Sequence, residues 1–311
     1  MKRVLSIIIC LFVLVSICAC NSSSDSNKDD GRLKVVCTIF PQYDFVCQVA
    51  GDLVDVKLLV APEADVHGYE PSLSDLKSVH ECDLFIYSSG ESESWATDML
   101  DSVGGTALDI CKGIELLLDN EPHEHEDEHH FDDHATYDEH VWTSPVNAKI
   151  IVKSITDELC KLDSSNSDTY KTNSAKYIEE LDKLDGRFRK LFDSADDFTL
   201  IVADRFPFRY FAEEYGVDYF AAFSGCSSET EPTLSTYNEL IKTVENSNVK
   251  TVFYVEMSDQ KTADVVCGET GCDKRLLHSC HNLSKEEFES GYTYLKLMNR
   301  NADTIEEVLN K

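Results

Sequence analysis

The chain has 311 residues, of which 58 are acidic and 28 basic, for a formal charge of −30, and 42% of them are hydrophobic. That length holds two modest domains, each with its own core. The charge argues against a nucleic-acid partner, which needs clustered Lys and Arg, and fits a soluble protein that handles cations or one that stays monomeric.

The first element is MKRVLSIIICLFVLVSICAC. Basic Lys2 and Arg3 precede an apolar run of about fifteen residues, shorter than the ~20 of a spanning helix and matched to a secretory signal over 1–19. Its end, Ile17-Cys18-Ala19-Cys20 before the polar NSSSDSNKDDG, resembles the lipobox of bacterial lipoproteins. That resemblance implies cleavage before Cys20, acylation of its thiol, a flexible tether over 20–31, and anchorage on the outer face of the bacterial cytoplasmic membrane. The chain has twelve cysteines. With Cys10 and Cys18 removed and Cys20 acylated, an odd number remains, which leaves at least one thiol unpaired. Disulfides persist in such a compartment. Cys267 and Cys272 have no second pair beside them, so they do not read as a zinc ribbon.

From Leu33 strands and helices alternate. LKVVCTIF reads as a strand, YDFVCQVAG as a helix stopped by Gly51, and LVDVKLLV as a strand. PSLSDLKSVHE is a helix with Ser72 as N-cap; CDLFIYSS is a strand and SESWATDMLDSV a helix. Residues 121–140, EPHEHEDEHHFDDHATYDEH, interrupt the rhythm with six of the ten histidines. Ser144 and Pro145 then open a helix to about Leu162. A second helix spans roughly 168–194, with Tyr177, Leu181, Leu184, Phe188 and Leu191 on one stripe; at ~40 Å it reaches across a domain. The rhythm resumes with strand FTLIVAD, helix FRYFAEEYG, strand VDYFAAF, helix EPTLSTYNELIKTVENS, strand KTVFYVE and helix SDQKTADVVCGETG. Residues 285–310 read as helical. The fold class is α/β: two lobes with parallel-type sheets, an N-terminal one over 32–163 carrying the His/acid loop 121–139, a spine helix over 164–196, and a C-terminal one over 197–311. Ligands in such sheets sit beyond the C-terminal strand ends.

Two histidines lie at such positions. His67 follows a strand in VHGYEPSLSD, and His140 precedes a helix in DEHVWTSPVNA. These segments resemble the two ligand motifs of the metal-binding lipoproteins of zinc and manganese ABC importers. A His-rich loop stands before the second motif in zinc members, as it does here. The resemblance covers nearly the whole mature chain, and it implies a metal between the lobes, an ABC permease and its ATPase as partners, and His67 and His140 as ligands. The family's third ligand position falls on Arg205, before the helix Phe208-Arg209-Tyr210-Phe211-Ala212. A guanidinium has no acceptor and cannot ligate a metal, so Asp204 is a substitute, and Arg205 can instead pair with a carboxylate such as Glu70. Glu256 matches the fourth, acidic position, with Asp259 as fallback. His278 and His281 of LHSCHNLSKEEF are candidates for the missing nitrogen ligand, and Cys280 is a candidate disulfide partner of Cys226. Tyr69 and Trp142 are expected to line the cleft, and His80 to lie on the surface.

Imidazole ligands and the histidine loop favour Zn²⁺ over Mn²⁺. His123, His125, His129, His130 and His134 form an auxiliary cation-gathering segment, separate from the tight site. The H-E-x-x-H match at His125–His129 falls in the low-complexity His/acid run rather than on an amphipathic helix, and no G-x-S-x-G or Gly-rich phosphate loop is present, so an exported zinc hydrolase is disfavoured. An adhesin of the same fold is the other alternative to a transport protein.

Overall fold

The computed structural model describes residues 31–90, 93–118, 137–195, 198–225, 227, 231–248 and 250–311. Cys20, Cys226 and the five histidines of the auxiliary segment lie outside them. Among the described residues no helix is long and apolar enough to cross a membrane.

Two parallel four-stranded sheets carry the architecture. Strands β1 (Leu33–Cys37), β2 (Val54–Leu58), β3 (Leu84–Tyr87) and β4 (Thr106–Asp109) lie in the order β2-β1-β3-β4. Strands β5 (Thr199–Phe206), β6 (Asp218–Ser224), β7 (Thr251–Tyr254) and β8 (Asp273–Leu276) lie in the order β6-β5-β7-β8. The second order repeats the first, so each lobe has a switch point beside its first strand, where loops diverge and leave a crevice. Strand β4 is short, half-buried and preceded by two glycines, and its four residues show no alternation to distinguish them from a loop. The glycines are a steric necessity: a Cβ on Gly104 would lie 1.9 Å from the carbonyl oxygen of His80, and one on Gly105 2.2 Å from that of Asp83.

Helices α1 (Phe40–Ala50), α2 (Leu73–Glu81), α3 (Ser94–Asp98), α4 (Pro145–Leu162), α5 (Ser167–Asp193), α6 (Arg209–Tyr215), α7 (Leu234–Asn246), α8 (Lys261–Thr270), α9 (Lys285–Glu289) and α10 (Tyr294–Leu309) cover the sheets. Local chemistry sets their starts. Ser72 Oγ accepts from Asp75 N while the Asp75 carboxylate accepts from Ser72 N, a reciprocal cap. Ser144 Oγ accepts from the N–H groups of Val146 and Asn147, with Pro145 in the first turn. The expected C-terminal helix is broken in two where Gly291 takes a positive φ. The expected helix after β3 is a short α3 followed by a 3-10 turn.

The spine α5 is 27 residues long. Its buried stripe includes Tyr177, Leu181, Leu184 and Phe188. Tyr177 packs edge-on against Phe45 of α1, and Phe188 against Phe211 of α6. One apolar cluster therefore runs from Val35 and Leu84 of the first sheet through α5 to Leu200 and Phe253 of the second, and Leu33–Lys311 forms one compact unit. Such shared packing resists a wide hinge, because interiors are close-packed.

Asp44 ties three helices together. Its carboxylate accepts from the Tyr294 N–H (3.0 Å), the Tyr177 hydroxyl (3.2 Å) and Gln48 Nε2 (3.0 Å). Burial outweighs these bonds and pushes its pKa up to about 6 from 3.8. The folded state thus binds this proton more tightly than the unfolded state. Its contribution is complete below about pH 4 and is lost as pH rises through 6. In urea titrations from pH 4 to 7.5, the stability difference between wild type and Asp44→Asn should shift toward the variant by about 3 kcal/mol; parallel pH profiles would show that Asp44 stays ionised throughout.

Candidate metal centre

Three loops at the strand ends meet in one crevice. The loop after β2 carries His67, the segment before α4 carries His140, and the turn after β8 carries His281. One ligand atom from each of the three lies within 4.8 Å of the others, the only such His/Cys/Asp/Glu group among the described residues. They line a cavity of about 400 Å³ together with Arg205, Asp204 and Glu256.

Each imidazole is held by its surroundings. His140 is buried, and its Nδ1 lies 3.0 Å from Asp138 Oδ1, which also accepts the His140 N–H at 2.8 Å. A carboxylate only accepts, so Nδ1 carries the proton and Nε2 is the nitrogen suited to a metal. Asp138 was not singled out from the sequence, although it stands two residues before His140 within the same motif. The ring of Trp142 is fully buried, 5.3 Å from His140 and 5.0 Å from His281, and its Nε1 donates to the Ser279 carbonyl at 2.9 Å. Trp142 therefore stands behind both imidazoles. The Tyr69 ring packs on Trp95 instead, with its hydroxyl on Asp75, and so does not line the cleft. His80 is exposed, as expected.

The 278–281 turn decides which histidine faces the cavity. Cys280 has φ +63°, a left-handed conformation that is costly for a residue with a side chain. Through this residue the chain turns, and the two histidines point apart. His278 faces the interior: its Nδ1 accepts from the Cys280 N–H at 2.9 Å, and Asn301 of α10 pairs with its backbone N–H and carbonyl. It is therefore not with the cluster. His281 reaches the cavity, where its Nε2 is buried with no hydrogen-bond partner. An orphaned buried polar atom calls for a partner, and a metal shared with His67 and His140 supplies one. The donor set fits Zn²⁺, which imidazole nitrogens bind well.

Electrostatics keep these rings ready to ligate. Burial, reinforced by His140 and Arg205, lowers the His67 pKa to about 4. Burial, with His140, His67 and Arg205 nearby, lowers that of His281 strongly. Both are neutral near pH 7 and present lone pairs without first losing a proton.

The acidic candidates serve other ends. Glu256 lines the cavity, but its Oε2 accepts the Ser279 N–H at 2.7 Å and its Oε1 accepts the His281 N–H at 3.2 Å and the Ser279 hydroxyl. It holds the turn that presents His281. Asp204 also lines the cavity, and accepts its neighbour's N–H at 2.9 Å; burial raises its pKa. Asp259 is exposed, paired with Lys261, and absent from the cavity wall. Glu70 is exposed and does not pair with Arg205. Cys280 is a buried free thiol rather than half of a described disulfide; the bond present joins Cys267 to Cys272.

The loops also lock across the cleft. Asn282 Nδ2 donates to the carbonyls of Ala61 (3.0 Å) and Ala64 (2.8 Å), and the Glu63 N–H donates to the Leu283 carbonyl at 3.1 Å. These bonds seat the His67 loop directly on the residues that follow His281.

The family model described as the periplasmic component A of the zinc-uptake complex, ZnuA, matches residues 35–308. The chain belongs to the ZnuA family. Within that family it is 33% identical to the high-affinity zinc uptake system protein ZnuA of Bacillus subtilis, over 98% of this chain and 97% of that protein. Among solved structures it is similar to the Zn(II)-bound ZnuA-like domain of Streptococcus pneumoniae AdcA, at 27% identity and a TM-score of 0.75, covering 90% of this chain and all of that one. It is also similar to the laminin-binding protein of Streptococcus agalactiae, described as a bifunctional protein with adhesin and metal-transporting activity, at 26% identity and a TM-score of 0.76, covering 89% of this chain and 99% of that one. ZnuA-family proteins are metal-binding transport components, not an enzyme family.

Proposed function

We propose that this ZnuA-family chain captures one Zn²⁺ outside the cell between its two lobes, through His67, His140 and His281, and delivers it to an ABC importer permease and its ATPase. The observation that carries the proposal is the buried, unpartnered Nε2 of His281 converging with His67 and His140 in the interlobe crevice. No catalysis is needed. A hydrolase would require a general base facing the metal, whereas the carboxylates on the cavity wall are engaged with backbone N–H groups. In this reading acylated Cys20 anchors a monomer to the membrane, and residues 20–31 tether lobes bounded near 32–163 and 197–311. The histidines of 121–134 gather cations without forming the tight site. Zinc is favoured over manganese because three imidazoles suit it better than the carboxylate-rich sets preferred by Mn²⁺. The adhesin activity named for one structural relative would use an outer surface and leave this site intact.

Metal analysis tests the proposal. Wild type dialysed against zinc should retain one tight equivalent, and His67→Ala should retain none. Deleting 121–134 should leave that equivalent in place. A wild-type protein that holds no zinc would contradict the proposal.

A further inference from the structure

We infer that Arg205 is the receptor for a small carboxylate anion that enters with the metal and completes its coordination. The inference rests on the three-histidine reading of the site and extends it from a bare cation to a cation–anion pair.

Three imidazoles leave one position of a tetrahedral zinc open, and no carboxylate among the described residues stands with them in the cluster. In the same cavity Arg205 presents a guanidinium with no hydrogen-bond or ion-pair partner among the described residues, and its Nε is sealed from water. Leaving such a donor buried and unpaired is costly. Its placement is built into the strand: the β5–β6 register shifts between Val202 and Arg205, an irregularity that re-aims the side chains that follow.

Among the described residues four carboxylates line the cavity, and none pairs with it. Each takes a backbone N–H instead: Glu63 from Lys285, Asp65 from His67, Asp204 from Arg205 itself, and Glu256 from Ser279. The guanidinium therefore lines the same cavity as the three imidazoles with its donors unused. A carboxylate matches its two-pronged geometry with one edge or oxygen while the other oxygen binds the metal. The cavity of about 400 Å³ has room for such an anion beside the ion.

The test uses the full chain in a non-coordinating buffer with perchlorate as the salt. Zn²⁺ affinity is measured by chelator competition, and the visible spectrum of the Co²⁺ form is recorded, with acetate, bicarbonate or chloride added. Acetate or bicarbonate should change the cobalt spectrum saturably and tighten zinc binding roughly 10- to 100-fold, the range expected of a charge-assisted pair. Chloride, lacking two oxygens, should do less. Arg205→Gln should still bind one zinc in perchlorate but lose that gain, and Arg205→Lys, which keeps the charge without the fork, should recover only part of it. If either variant unfolds, the wild-type anion titration still decides. A cobalt spectrum identical in acetate and perchlorate would overturn the inference, and if His67→Ala still abolished metal uptake the three-histidine site would survive. A parallel Asp204→Asn variant would then test whether that side chain is the fourth ligand. Failure of wild type to bind any metal would overturn both.

Discussion

His281→Ala is expected to weaken zinc binding by at least ~100-fold while leaving the fold intact. Structural zinc sites gain about 10–16 kcal/mol from four ligands, so one ligand is worth roughly 3 kcal/mol, or about a hundredfold. The imidazole is buried against Trp142 at the cavity wall, and its Nε2 makes no bond within the protein. Removing it deletes a ligand but breaks no side-chain hydrogen bond that supports the lobe. His278→Ala should behave in the opposite way. That ring accepts the Cys280 N–H in the interior, so its loss should lower stability more than intrinsic zinc affinity. Chelator competition and urea unfolding on both variants separate the two effects. Equal zinc loss from the two would mean that the turn, not the His281 nitrogen, carries the site.

Glu256→Ala is expected to damage both properties. It strips the acceptor from the Ser279 N–H and hydroxyl and one of the two acceptors of the His281 N–H, which keeps Ser279 Oγ at 3.1 Å. Buried donors left without partners cost ~1–3 kcal/mol each, so a stability loss of about 3 kcal/mol is expected. The freed turn should misplace His281 and lower zinc affinity by about 10- to 100-fold, the usual effect of losing a residue that orients a ligand. Glu256→Gln retains one acceptor oxygen and should recover much of the stability. If Glu256 instead bound the metal through its charge, the Gln variant would lose zinc as fully as the Ala variant, and titration of the pair distinguishes these roles.

The sequence was most informative where chemistry is local. The Ser72 and Ser144 caps, the stripe of α5 and the alternation of strands with helices depend on neighbours within a few residues, and the structure has them. His67 and His140 stand in motifs whose loop positions follow from the strands and helices beside them. Other features depend on distant partners. Strand β4 has only four residues and owes its pairing to β3, so no periodicity marked it. The division between His278 and His281 could not be read from a spacing of three residues, because it depends on the left-handed Cys280 and on Asn301 of α10. Glu256 follows β7 as an acidic candidate ligand; its engagement with the turn after β8 becomes visible only once those strands are neighbours.

Zinc K-edge absorption on the loaded wild type and on His281→Ala tests the central claim most directly. Three imidazoles with one further light-atom ligand at about 2.0–2.1 Å are predicted for wild type, and two imidazoles for the variant if it is loaded at high zinc. A sulfur ligand in wild type, or an unchanged imidazole count in the variant, would contradict a centre built from His67, His140 and His281.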